Sequence, residues 1–197
     1  IWSEEGVERL KKVVDLANLT LPVFCNDYVI DNSLRNNKEC LEQNLELIKR
    51  GSIIGCEKFL LPLFENSEIT LANAHSFVSS IRTIADYCMT SGIELCLETL
   101  LRGEELIEVL EIIERPSISL VYDTGNRVAF DHDLAGDIRL LGKRISHMHI
   151  KDKNSKNENV ILGTGLVNFK EVFDALAEIK YDGLYTFETN RGKNPAR

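Results

Sequence analysis

The sequence predicts an α/β protein of the (β/α)₈-barrel class, of which this chain forms the greater part. Helical and strand patterns alternate along the chain, and no glycine-rich dinucleotide loop follows any strand. Repeated βα units predict a parallel sheet covered by helices, and the missing loop disfavours an open doubly wound sheet. Such barrels need about 250 residues. Because the chain has 197, we expect one partial barrel domain over 1–197 that lacks roughly the first βα unit, the second strand and the last helix.

The predicted helices carry apolar residues at spacings of three and four. In the longest one, over 69–91, Leu71, Ala74 and Val78 share one face, and Gly92 follows as a stop. The predicted helices cover 4–18, 36–50, 69–91, 103–114, 132–141 and 168–179.

The predicted strands are short apolar runs between turn residues. Pro62 closes one of them, and Pro116 prevents a preceding helix from continuing into another. Six strands cannot close an eight-stranded barrel, so we expect further elements outside this sequence. The predicted strands cover 20–25, 58–62, 93–98, 117–123, 145–150 and 184–188.

Composition excludes several classes of partner. The formal net charge is −8 and no basic patch is present, which disfavours nucleic acid. No apolar run is long enough to span a membrane, and residues 1–10 do not resemble a signal peptide. The five cysteines form no CxxC pair, which argues against a disulfide framework or a cysteine zinc site. We therefore expect a cytoplasmic protein without a nucleic-acid or membrane partner, and a homo-oligomer is compatible with this.

Four predicted strands each end with a side chain that can bind a metal ion. These are Glu98, Asp123, His149 and Glu188, and active sites of such barrels lie at the C-terminal ends of the strands. A single carboxylate there is usually a cap or half of an ion pair, but four equivalent positions are hard to attribute to chance. Three crowded carboxylates also repel one another unless a cation lies among them. We predict that these four residues bind one divalent ion, which is Mn²⁺, Co²⁺, Mg²⁺ or Zn²⁺. His147 is not included, because it is better explained as a hydrogen-bonded interior residue.

The segments CLET, VYDTGN, HMHIKD, GTGLVNF and YDGLYTFE occur in an order and at spacings that resemble the xylose-isomerase-like barrels. Within them the sugar phosphate isomerase/epimerase group is most similar, and the resemblance covers roughly residues 1–190. It implies that Glu98 and Glu188 act as a proton-transfer pair as well as metal ligands, and that Glu104 contacts substrate. Many members carry His where this chain has Asn126. Some ketose-phosphate epimerases have a similar Asp-x-Gly-Asn run, so Asn126 is kept as a substrate-binding position.

These residues predict an isomerase or epimerase that acts on a keto-sugar or ketose phosphate through an enediolate. The metal would act as a Lewis acid while the two glutamates move the proton. Lys151 faces inward by strand alternation and is expected to contact substrate or a carboxylate. Asp152 is expected to orient a ligand, and the amides of loop 153–167 are expected to cradle a phosphate.

Three other functions remain open at this point. A keto-inositol dehydratase of the same family would use the same metal and bases but expel a hydroxyl. An apurinic endonuclease shares this barrel, but it needs a trinuclear zinc cluster with additional histidines. This chain has four histidines in all and carries Asn126 where one of the expected histidines would lie, which disfavours a nuclease. A non-catalytic barrel is disfavoured because the ligand set is intact.

Overall fold

The structure is a computed structural model and describes residues 3–189. Within these residues it contains two compact units, one formed by 3–99 with 108–119 and the other by 100–107 with 120–189. The expectation of a single domain over 1–197 stays a prediction. Within residues 3–189, no helix is both long enough and apolar enough to cross a membrane.

The first unit contains three parallel strands that follow chain order and four helices. The register of the second and third strands places Pro62 beside Glu98 at their C-terminal ends. The strands are β1 (Val23–Cys25), β2 (Lys58–Pro62) and β3 (Glu94–Glu98). The helices are α1 (Glu4–Leu16), α2 (Tyr28–Asp31), α3 (Lys38–Ile54) and α4 (Val78–Thr90).

Local side-chain chemistry fixes where these helices begin and end. The Asn37 side chain accepts a hydrogen bond from the N–H of Cys40 and so caps α3, while Gly55 ends it in the left-handed region at φ 88°. The α-helix predicted over 69–91 begins only at Val78, and in the segment before it Ala74–Ser76 form a short 3-10 helix. Asn73 accepts from the N–H of Thr70 and donates to the carbonyl of Glu68, which holds a turn there instead.

The second unit contains the other parallel strands, again in chain order. Helix α5 (Gly103–Ile113) contributes residues to both units. The strands are β4 (Ser119–Asp123), β5 (Ile145–Ile150) and β6 (Leu184–Phe187). The helices are α6 (Thr124–Val128), α7 (Leu134–Leu141) and α8 (Phe169–Glu178).

The six predicted strands and six predicted helices are all present, with ends that differ by a few residues apart from the start of α4. The sequence patterns missed two short helices, α2 and α6, because four or five residues are too few to show a helical period. Strand β1 begins three residues later than predicted, at Val23, directly after Pro22. Proline has no N–H for a strand ladder.

An irregularity in the pairing of β4 with β5 determines which side chains meet at the strand ends. Leu120 pairs with Ile145, but the next residue, Val121, pairs with His147, so Ser146 is skipped. A shift of one residue moves every later side chain of a strand to the other face. The shift therefore brings Asp123 opposite His149, where unbroken pairing would have placed Met148.

Candidate active site

Asp123 and His149 form the centre of the candidate site. They are register partners at the C-terminal ends of β4 and β5, and their side chains are 2% and 6% exposed. The His149 Nδ1 lies 3.7 Å from the Asp123 Oδ2. Burial alone would raise the pKa of Asp123, but His149, the charge of Lys151 and the N–H of Asn126 outweigh burial and lower that pKa.

Glu188 joins this pair from the next strand. It directly follows β6, and its N–H donates to the carbonyl of Ile150 at 3.1 Å, which extends the ladder to the strand end. Its Oε1 lies 3.5 Å from the Nδ1 of His149. The side chain is 39% exposed, so Glu188 lies at the more open side of the site.

The separations between these atoms suit ligands of one shared metal ion. Two atoms that each lie about 2.1 Å from one ion are about 3.0 Å apart at a right angle and about 3.6 Å apart at 120°. The separations of 3.7 and 3.5 Å around the His149 Nδ1 are close to this range and too long for good hydrogen bonds. Two carboxylates and an imidazole are also donors that Mn²⁺, Co²⁺, Mg²⁺ and Zn²⁺ accept. The residues present therefore fit a divalent ion.

Lys151 contributes a positive charge to the same group of side chains. Its Nζ lies 2.9 Å from the Asp123 Oδ2 and forms a second ion pair with the Oε2 of Glu188. The residue is 9% exposed. Burial would lower the pKa of Lys151, but the two carboxylates outweigh burial and raise it, so the ammonium stays charged.

The segment Asp-Thr-Gly-Asn at 123–126 builds this corner of the site. The N–H of Asn126 donates to the Asp123 Oδ1 at 2.7 Å, so the carboxylate both caps α6 and leaves Oδ2 toward His149. The buried Thr124 hydroxyl accepts from the N–H of Lys151 at 3.0 Å and donates to its carbonyl at 2.6 Å. A Cβ on Gly125 would lie 2.7 Å from the Lys151 Cγ, so only glycine leaves room for that side chain.

Glu98 and Glu104 occupy different surroundings. Glu98 is the last residue of β3 and is 5% exposed. Like Asp123, it is a buried carboxylate that could bind a metal ion. Glu104 is exposed in the first turn of α5. The Glu105 carboxylate accepts from the N–H of Arg102 at 2.8 Å and so caps that helix. The proposed role of Glu104 in substrate binding stays a prediction.

His147 lies behind His149 on the same face of β5. It is 1% exposed, and its Nε2 lies 2.9 Å from the Thr186 hydroxyl. The two imidazole rings meet edge to face, with centroids 5.2 Å apart. This agrees with the prediction that His147 is a hydrogen-bonded interior residue, and its place supports the ring of His149.

Asp152 organises the loop that follows β5. Its Oδ2 accepts from the N–H groups of Gly163 and Gly165 at 2.9 and 2.8 Å, and its Oδ1 accepts from the N–H of Val167 at 3.1 Å. These glycine amides are already bound to a carboxylate and are not available to a phosphate, while the phosphate cradle expected from the rest of loop 153–167 stays a prediction. Asp152 holds loop 153–167 rather than a metal-binding side chain.

A second buried ion pair supports the segment after β3. The Arg127 guanidinium donates to the carbonyl of Leu101 and lies 3.6 Å from Asp137, whose Oδ1 accepts from the N–H of Gly103 at 2.9 Å. Arg127 also lies over the Tyr122 ring, 4.4 Å from its centroid. These contacts hold residues 101–103 against α6 and α7.

Comparisons with known proteins place this fold and site in a family. A profile of the family described as "Xylose isomerase-like TIM barrel" matches residues 2–197. The chain belongs to that family, and the (β/α)₈-barrel prediction is confirmed. Within residues 3–189 the structure contains six parallel strands in chain order, as expected for this fold.

Several relatives have names that state an activity on sugars. The chain is 30% identical to the L-ribulose 3-epimerase of Methylomonas sp. (strain DH-1) over 125 residues, or 59% of this chain and 42% of that protein. It is 34% identical to an uncharacterized protein of Methanocaldococcus jannaschii over 181 residues, or 85% of this chain and 60% of that protein. The chain thus spans about half the length of these relatives.

Solved structures show the same fold at lower identity. A structure of L-ribulose 3-epimerase superimposes with a TM-score of 0.79 at 21% identity, covering 95% of this chain and 67% of the other. A xylose isomerase-like TIM barrel protein from Mycobacterium smegmatis, in complex with magnesium, superimposes with a TM-score of 0.75 at 16% identity. The match covers 94% of this chain and 72% of the other. The IOLI protein, solved with a zinc atom, superimposes with a TM-score of 0.70 at 17% identity, and the match covers 93% of this chain and 69% of the other. Members of this fold therefore bind zinc or magnesium.

Sequence reasoning missed the residues that hold the candidate ligands in place. Thr124 and Gly125 were read only as part of a family motif, and nothing in their spacing shows that they surround Lys151. A Thr-Gly pair directly after a strand that ends in Asp is the only trace in the sequence. The skipped Ser146 leaves no trace at all.

Proposed function

We propose that this chain carries the metal-dependent active site of an isomerase or epimerase that acts on a keto-sugar or ketose phosphate through an enediolate. The observation that carries the proposal is the convergence of Asp123, His149 and Glu188 around one point at the strand ends, at separations that suit a shared divalent ion. Family membership and the sugar epimerases among the relatives support it.

We assign the metal to Glu98, Asp123, His149 and Glu188. Glu98 joins the set because it is a buried carboxylate at the end of β3, the position equivalent to that of Asp123 on β4. A bound divalent ion would act as a Lewis acid that acidifies the carbon-bound proton beside a ketone.

The residues of this chain supply the proton transfer. Glu188, which is partly exposed, and Glu98 are the two carboxylates assigned to remove and return the proton. Transfer to the opposite face of the same carbon gives an epimer, and transfer to the adjacent carbon gives an isomer. Asn126, Lys151 and Glu104 are proposed to contact the substrate.

The occupied amides of loop 153–167 favour a free keto-sugar over its phosphate. Asp152 binds the N–H groups of Gly163 and Gly165, and a net charge of −8 repels a phosphate dianion at long range. A phosphorylated substrate would have to be bound by other groups, such as the ammonium groups of Lys153 and Lys156 in the same loop.

Metal content and activity of matched variants test the proposal. We expect about one divalent ion per chain in the wild type, lost in His149→Ala. Glu188→Gln should keep the fold and abolish turnover of ketoses, while the control Glu171→Gln, an exposed residue of α8, should change neither. Full activity in Glu188→Gln, or a wild type that binds no Mn²⁺, Co²⁺, Mg²⁺ or Zn²⁺, would refute the assignment.

A dehydratase is the second candidate, since the chain is 32% identical over 112 residues to the inosose dehydratase of Clostridium tetani, or 48% of this chain and 37% of that protein. The same ligands and bases would serve, but the reaction would expel water. Mass spectrometry of the product separates the two, because an epimer or isomer keeps the mass of the substrate and a dehydration product loses about 18 Da.

A further inference from the structure

Lys151 is placed where a cation bound to the carboxylates must meet it. We propose that Lys151 is an internal counter-ion of this site, which competes with the divalent ion for Asp123 and Glu188 and so weakens the affinity of the site for its metal. This rests on the proposed metal-dependent function.

The charges of the site set the scale of this competition. The proposed ligands are three carboxylates and one neutral imidazole, and Lys151 adds one ammonium. The group therefore carries two net negative charges, which one divalent ion balances. Without Lys151 the same ligands would carry one more negative charge and attract a cation more strongly.

The oxygens of Asp123 show how the competition arises. Its Oδ1 accepts from the N–H of Asn126 at 2.7 Å, so only Oδ2 faces His149. That same Oδ2 lies 2.9 Å from the Lys151 Nζ. An ion about 2.1 Å from Oδ2 would lie no more than about 5 Å from the ammonium. Repulsion at this distance is appreciable in a site with little water.

The backbone and the aliphatic chain of Lys151 are held close to the site. Thr124 binds both the N–H and the carbonyl of Lys151, and Gly125 lies against its aliphatic chain. With 9% exposure, the side chain has little access to solvent. Lys151 therefore cannot withdraw into water at low cost when a metal ion arrives, and repulsion enters the binding equilibrium.

Manganese affinity of charge variants tests the inference. The chelator-treated full chain would be titrated with Mn²⁺ by calorimetry, comparing wild type, Lys151→Met and the control Lys156→Met, which removes an exposed charge from the same loop. We expect Lys151→Met to bind Mn²⁺ about tenfold more tightly or better, and Lys156→Met to bind it as the wild type does. Without metal, Lys151→Met should melt at a lower temperature, because the carboxylates lose their counter-ion.

A merely structural role predicts the opposite sign. If Lys151 only holds the ligands in place, Lys151→Met will bind Mn²⁺ equally or more weakly, and the inference is wrong. Lys151→Gln, which keeps a donor without the charge, gives a second comparison if Lys151→Met does not fold, and it too should bind Mn²⁺ more tightly. A wild type and variants that bind none of Mn²⁺, Co²⁺, Mg²⁺ and Zn²⁺ would overturn the proposed function and this inference together, whereas binding without the affinity gain overturns the inference alone.

Discussion

Asp123 and His149 meet at the ends of neighbouring strands because the pairing of β4 with β5 skips one residue. The 3.7 Å between the Asp123 Oδ2 and the His149 Nδ1 depends on this shift. An unbroken ladder would have placed a methionine opposite the aspartate. Irregular pairing near a strand end often re-aims a side chain at a functional site, and here it brings together the two candidate ligands.

Replacing Thr124 by Val should destabilise the end of β5. The hydroxyl of Thr124 binds the N–H of Lys151 at 3.0 Å and its carbonyl at 2.6 Å, and Thr124 is fully buried. Val keeps the shape but leaves the buried N–H without this acceptor, at a cost of about 1–3 kcal/mol. Urea unfolding measures this loss. Thr124→Ser should recover most of the stability, and equal losses in Val and Ser variants would point to packing instead.

Replacing Asp152 by Asn should loosen loop 153–167. The amide nitrogen of Asn cannot accept the N–H bonds that the carboxylate receives from Gly163, Gly165 and Val167. We expect a loss of about 2–4 kcal/mol in the free energy of unfolding and faster proteolysis within the loop. Asp182→Asn, at an exposed position, is the matched control. Unchanged cleavage in Asp152→Asn would contradict the role given to this carboxylate.

Replacing Asp137 by Asn should cost stability in a pH-dependent way. Burial would raise the pKa of Asp137, but His132, the N–H of Gly103 and Arg127 outweigh burial and lower that pKa below its ordinary value. A carboxyl with a lowered pKa in the folded state stabilises the fold above its unfolded pKa and loses this contribution as the pH falls through the folded value. The variant should therefore be less stable by about 2–4 kcal/mol at pH 7.

The difference between Asp137→Asn and wild type should shrink once the pH falls below the unfolded pKa of about 4. Chemical denaturation of both proteins at pH 7, 5 and 3, under conditions in which they are folded, would measure this difference in the free energy of unfolding. A difference that stays constant from pH 7 to pH 3 would show that the ionised form of Asp137 contributes nothing.

A free ketose should be a better substrate than its phosphate. The prediction follows from the two glycine amides that Asp152 already binds. Measuring kcat/KM for matched pairs of ketoses and ketose phosphates with the preferred metal would test it. Because Asp152 is the competing anion, inorganic phosphate should also leave the melting temperature of the wild type unchanged. A clear preference for the phosphate would contradict this prediction and would point to cationic groups such as Lys153 and Lys156 as its binding residues.

Much of the fold follows from the sequence because it depends on local patterns. Short apolar runs between turn residues predicted the six strands, and apolar residues at helical spacing predicted the main helices. The order of the elements predicted the parallel barrel class. The strand ends also predicted Glu98, Asp123, His149 and Glu188 as one set, since parallel strands bring their C-terminal ends to one edge. Three of these, Asp123, His149 and Glu188, lie together in the second unit.

Only the tertiary structure decided how those ligands are held and what else shares their site. The skipped Ser146, the two ion pairs of Lys151 and the three amides that converge on Asp152 join residues that are far apart in the chain or out of phase with simple strand alternation. Strand periodicity specifies the face on which a side chain lies, whereas hydrogen bonds and ion pairs depend on distances of a few tenths of an ångström. Such distances are fixed by packing between elements, and no spacing in a single sequence encodes them.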